Sequence, residues 1–128
     1  MLVAINLDID LESIFVTALE GGSNYWIDFS SSTFKHLKDK YSQMSFSERV
    51  YNEFIGGAVI DVLDVEGDES DVIGQISLAT APSRLAKMFE DGFIWSHADI
   101  SELLDGTADA TASDIVLQYL ALGEIVYG

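Results

Sequence analysis

Cysteine is absent from this chain, and basic residues are scarce. Without thiols, disulfides, thiolate nucleophiles and cysteine-ligated zinc are excluded, and a reducing interior is the expected setting. No apolar run approaches the roughly 20 residues a membrane-spanning helix needs. No basic segment ahead of a hydrophobic stretch marks a secretory signal. A cytoplasmic protein without membrane contact is therefore expected. Lys and Arg number six against 22 Asp and Glu, for a net charge of −16. None precedes Lys35 and none follows Lys87. Such a surface repels DNA, RNA and anionic lipid, and it attracts a basic partner. The P-loop, the G-x-S-x-G elbow, the dinucleotide fingerprint and H-E-x-x-H are all missing, so no enzymatic activity and no cofactor are expected.

What is present suits a folded domain. At 128 residues with 48% hydrophobic content, one domain can bury most of its apolar surface. Residues 2–11 alternate in the manner of a half-buried strand, then pass into helical spacing with Asp10 as N-cap and Gly21-Gly22 as the stop. NYWIDF, residues 24–29, reads as a short strand. Its alternation places Tyr25, Ile27 and Phe29 on one face, and Trp26 and Asp28 on the other, nearer a surface.

A helix is expected over about 33–41, with N-cap candidates in Ser30 to Ser32. A second opens on a capping box, Ser45 to Glu48, and ends at Gly56-Gly57. Residues 58–78 form a β-hairpin whose strands are joined by the acidic EGDESD. Thr80 and Pro82 open a helix with Leu85, Met88 and Phe89 inward and Arg84 and Lys87 outward. A further helix follows, capped by Ser96 or Asp99. The last begins at Asp109, carries a polar stripe of Thr111, Asp114 and Gln118, and ends at Gly123; EIVY then suits a closing strand. The sum is an α+β domain: a small, mostly antiparallel sheet packed with four to six helices.

VTALEGGSNYW near the start and DATASDIVLQYLALGEIVYG at the end together resemble a family of small uncharacterised proteins of tailed bacteriophages. That family pairs an ALEGG-x-x-YW segment with a DA-x-x-AD-x-x-x-Q…GE-[IV]-[VI]-[YF]-G terminus. The matching residues are Ala18 to Gly22, Tyr25 and Trp26, then Asp109, Ala110, Asp114, Gln118 and Gly123 to Gly128. Ser113 departs from the pattern, standing where the family has a small apolar residue. The resemblance covers about a quarter of the chain. It implies a phage protein in the cytoplasm of an infected bacterium and no established activity.

Two groups of residues are candidates for function. The first is acidic. Residues two apart on one face of a strand lie about 6.6–6.8 Å apart, close to twice the 3.4 Å phosphate rise of one DNA strand. Asp64, Glu66 and Asp68 have that spacing if the strand continues, with Asp61, Glu69 and Asp71 extending the patch. Asp99, Glu102 and Asp105 supply a second patch on one side of a helix. Carboxylates so arrayed would mimic DNA and occupy the nucleic-acid site of a host or defence protein; solubility is the plainer account of the same charge.

The second group is a ligand pocket of Gly21, Gly22, Tyr25, Trp26, Asp28, Thr111, Asp114 and Gln118, in which the aromatic rings stack on a small ligand such as a nucleotide. A glycine helix stop, and hydrogen bonds anchoring a buried helix, explain those residues equally. Metal binding is not expected. DVEGDESDVIGQ has the outline of a calcium loop, but Glu69 stands where glycine is needed and Gln75 where a bidentate Glu is needed. His36 and His97 have no partner at ligand spacing and read as ordinary surface or half-buried residues. A mean hydropathy of +0.22 leaves room for a self-associating structural or regulatory protein.

Overall fold

The computed structural model describes residues 8–128. Among them, six α-helices pack with a three-stranded antiparallel sheet, the α+β arrangement expected. The elements run α1 (Leu11–Thr17), a π-helical turn (Ala18–Gly22), β1 (Ile27–Asp28), α2 (Ser31–Lys40), α3 (Phe46–Ile55), β2 (Ile60–Asp64), β3 (Val72–Ile76), α4 (Ala81–Asp91), a 3-10 turn (Phe93–Ser96), α5 (Ile100–Asp105) and α6 (Ala110–Leu122). The strand expected over residues 2–11 lies mostly outside the described residues; residues 8–10 are irregular and lead into α1.

Local capping chemistry starts most of these helices. Asp10, Ser30, Ser45, Asp99 and Asp109 each accept a hydrogen bond from the backbone amide three residues on, satisfying one of the orphan donors of the first turn. At Ser45 only half of the expected box forms. Glu48 takes the Ser45 hydroxyl, not its amide. The reciprocal box stands instead at Asp99 and Glu102. α4 begins at Thr80 without a side-chain cap, aided by Pro82 in the first turn, where a missing amide costs nothing.

α6 is the centre of the molecule. From Ala112 to Ala121 every residue is buried, so this helix is covered all round. It packs on α1, α4, the π turn and β3. Close approach needs glycine twice. A Cβ at Gly74 of β3 would stand 2.2 Å from the Ala121 carbonyl oxygen, and one at Gly22 would stand 2.6 Å from that of Ala110. Around α6 lie Phe15, packed on Phe54 at 5.1 Å between ring centroids, and the buried Leu37, Val50, Met88, Ile94 and Leu103.

The sheet has the order β1-β2-β3, with Ile60 opposite Ile76, Val62 opposite Gly74 and a bulge between Val62 and Leu63. The bulge explains why these two neighbours are both buried. The hairpin is as expected. The closing strand is not found: among the described residues, 124–127 take no strand pairing. Arg84, expected to face solvent, is half-buried and donates from Nη1 to the Tyr119 carbonyl at 3.4 Å. Among the described residues, no helix is long and apolar enough to cross a membrane.

Candidate functional site

The two segments quoted for the resemblance meet at one buried carboxylate. One turn of α6 separates Asp114 from Gln118, so both project from the same side. Asp114 Oδ1 accepts from the Ser23 hydroxyl and from Trp26 Nε1, each at 2.7 Å; Oδ2 accepts from the Tyr25 hydroxyl at 2.6 Å and from Gln118 Nε2 at 3.1 Å. Gln118 in turn fastens the tail. Its Oε1 accepts from the Val126 and Tyr127 amides at 2.9 and 3.0 Å, and its Nε2 donates to the Tyr127 carbonyl at 3.1 Å. This capture of the 126–127 amides replaces the ladder a closing strand would have made.

Trp26 lies under the tail, stacked on Tyr127 with centroids 5.2 Å apart. The Tyr127 hydroxyl donates to Asp64 Oδ2 at 2.6 Å. That bond, with burial second, pushes the Tyr127 phenol up to about 12 and holds the Asp64 carboxyl below its ordinary value, the Glu66 amide assisting. Burial, and after it the Asp114 carboxylate, raises the Tyr25 phenol well above its usual value. Tyr25 is nevertheless 52% exposed, with its hydroxyl held by Asp114 of α6.

The expected facing of the aromatic pair is therefore reversed. Trp26 is 1% exposed and Tyr25 is on the surface. The cause is a turn: the amides of Trp26 and Ile27 both reach back to the Ser23 carbonyl, so β1 begins only at Ile27 and strand alternation does not apply to residues 24–26. Asp28 is half-buried and accepts from the next amide, that of Phe29, at 2.8 Å.

Beside Tyr25 opens a cleft of about 910 Å³. Its floor is α6 at Ala110, Thr111, Asp114 and Ile115; the π turn at Gly21 and Gly22, the 3-10 turn at Phe93 and His97, and the tail at Ile125 and Tyr127 complete it. It thus collects six of the eight residues nominated as a ligand pocket, with Trp26 and Asp28 left out. Phe93 and His97 were missed. They pack with ring centroids 4.8 Å apart, and no spacing in the chain links them to Tyr25. Both Asp114 oxygens are engaged by internal donors, an arrangement that fastens the fold and does not leave a free base.

His36 is a surface residue, as expected, and it is paired. Its Nε2 lies 2.5 Å from Oε2 of the buried Glu53, whose Oε1 accepts from Lys40 at 2.7 Å and Tyr41 at 3.2 Å. Burial pushes the Glu53 carboxyl up, but the Lys40 and His36 bonds outweigh it, and the net displacement is downward. A smaller hollow of about 410 Å³ opens beside this pair.

The nominated acids are mostly employed locally. β2 ends at Asp64 and Val65–Gly67 turn away, so the strand-like spacing of Asp64, Glu66 and Asp68 is absent. Asp61 accepts from Gln75, Asp68 from Ser70, and Glu69 from the backbone and hydroxyl of Ser31 at the start of α2. On α5, Asp99 and Glu102 cap the helix and Asp105 accepts from Thr107. Glu66, Asp68, Glu69 and Asp71 are nonetheless all exposed on the hairpin turn. Among the described residues, no group of His and carboxylate side chains is placed to hold a metal ion. Compared with known proteins, the chain matches no family model, no curated sequence and no solved structure.

Proposed function

We propose that this protein is a non-enzymatic binding protein that engages a basic, nucleic-acid-binding protein through its acidic surface and so blocks that protein's site. The observation that carries this reading is the charge: −16 overall, with the hairpin turn presenting four exposed carboxylates and the bases confined to α2, α3 and α4. Register with phosphates is no part of the support, because beyond Asp61 and Asp64 of β2 the acids stand on turns and caps. What supports the reading is field, which attracts a positively lined cleft over several ångströms. The terminal resemblance implies an infected bacterium as the setting, and the charge makes a host or defence protein with a basic site the target proposed.

Immobilised protein incubated with bacterial lysate at low salt should capture DNA- or RNA-binding proteins. They should be displaced by duplex DNA and released at a few hundred millimolar salt, where exposed charge pairs are screened over about 3–8 Å. Capture that survives excess DNA, or no capture of basic proteins, defeats the reading.

The cleft beside Tyr25 favours a second reading, a small-ligand binder. Trp26 is not available to stack on a base, since Tyr127 already covers it. Titration with a nucleotide panel, followed by amide shifts at Thr111 and Ile125, distinguishes the two; no shift counts against a nucleotide.

A further inference from the structure

We infer that the cleft beside Tyr25 is the seat of an arginine side chain carried on an apolar segment of the basic partner. The inference rests on the proposed engagement of such a partner and assigns it a place.

Four features agree. Two aromatic residues, Tyr25 at 52% and Phe93 at 48% exposure, stand on different turns at the cleft. Isolated exposed rings are ordinary; rings converging on one concavity mark a binding surface. The rest of the lining includes Ile115 and Ile125, which suit apolar flanks. No Lys or Arg lines the cleft, while the Asp114 carboxylate lies at its floor and Asp109 caps the helix that forms it. An anion entering there meets the Asp114 carboxylate, with His97 the one basic side chain among the described lining residues and the Asp109 cap already on the first turn of α6. A cation meets carboxylate and the negative faces of rings.

Guanidinium fits better than ammonium. It is planar, stacks on aromatic faces and sheds water more readily. The volume, about 910 Å³, is near the upper end of roughly 300–1,000 Å³ found for ligand sites, and the cleft is open. That is room for a segment of several residues and more than a single side chain fills.

The experiment uses the intact chain and three hexapeptides with leucines around a central arginine, lysine or citrulline, followed by backbone amide shifts. The arginine peptide should move Gly22, Thr111 and Ile125. Citrulline, of the same shape but neutral, should bind about tenfold more weakly, the scale of a partly desolvated cation–π contact. Phe93→Ala should weaken the arginine peptide by a similar factor. Phe93→Leu keeps apolar bulk without a π face, and should weaken the arginine peptide while leaving citrulline unchanged. Equal binding of arginine and citrulline peptides overturns the inference, as does indifference to both Phe93 variants in a folded protein. If the shifts instead centre on residues 66–71, the cleft is wrong and the acidic-surface reading stands. If no peptide binds and the lysate yields no basic protein, both fail together.

Discussion

The indole nitrogen of Trp26 donates to the Asp114 carboxylate at 2.7 Å, across 88 positions of sequence. A tryptophan N–H buried with its ring needs an acceptor, and here the acceptor sits on the central helix. The same carboxylate holds Ser23 and Tyr25, so one side chain joins the first aromatic turn to α6. Truncating it as Asp114→Ala strands buried donors, and should cost about 2–5 kcal/mol. Urea unfolding followed by far-UV circular dichroism checks the size of the loss. Fluorescence should report Trp26 in a wetter environment.

The two adjacent glycines are predicted to differ. Gly22→Ala drives a Cβ to 2.6 Å from the Ala110 carbonyl oxygen, while a Cβ at Gly21 meets nothing within 4 Å. The φ of Gly21, 170°, lies outside the left-handed region that favours glycine. Gly22→Ala should therefore lose about 1–3 kcal/mol, and Gly21→Ala should lose less, since its Cβ meets no neighbour among the described residues. Thermal unfolding of the two variants side by side decides it.

Ser113 supplies a test in the opposite direction. Its hydroxyl is buried within α6 and has no hydrogen-bond partner among the described residues. Removing a buried polar atom that bonds to nothing relieves its desolvation, and alanine is the better helix former. Ser113→Ala should be neutral or more stable by up to about 1 kcal/mol, read as a raised urea midpoint at constant slope.

Acid should act through Glu53. Its folded-state carboxyl is held below the ordinary value of 4.5, the Lys40 and His36 bonds outweighing burial. The sign follows: a lowered folded-state value stabilises above 4.5, and that contribution disappears as the pH falls through the folded value. Glu53→Gln should be less stable than the parent at pH 7, with the gap closing as the pH is taken below 4.5. A constant gap at every pH would assign the role of Glu53 to packing.

Legibility along the chain follows the range of the forces. Caps were readable at Asp10, Ser30, Ser45, Asp99 and Asp109 because each needs only an acceptor and an amide three residues on. The hairpin was readable because its alternation and its polar turn are adjacent. The spacing of Asp99, Glu102 and Asp105 suits a recognition patch and a helix cap alike, and the structure shows the cap formed by Asp99 and Glu102. For the cleft, the π-turn glycines, Tyr25 and the Thr111–Gln118 stripe were legible, but Phe93 and His97 were not, since they arrive from another turn.

The chain by itself determined an acidic α+β domain with its helix starts, its hairpin and a buried final helix, because those follow from composition and from interactions within a few residues. Only the tertiary structure decided that Trp26 goes in and Tyr25 out, that Asp114 gathers donors from near position 25, and that Gln118 holds the tail in place of a strand. Those outcomes depend on which distant groups satisfy one another once water is excluded, and no local pattern carries that information.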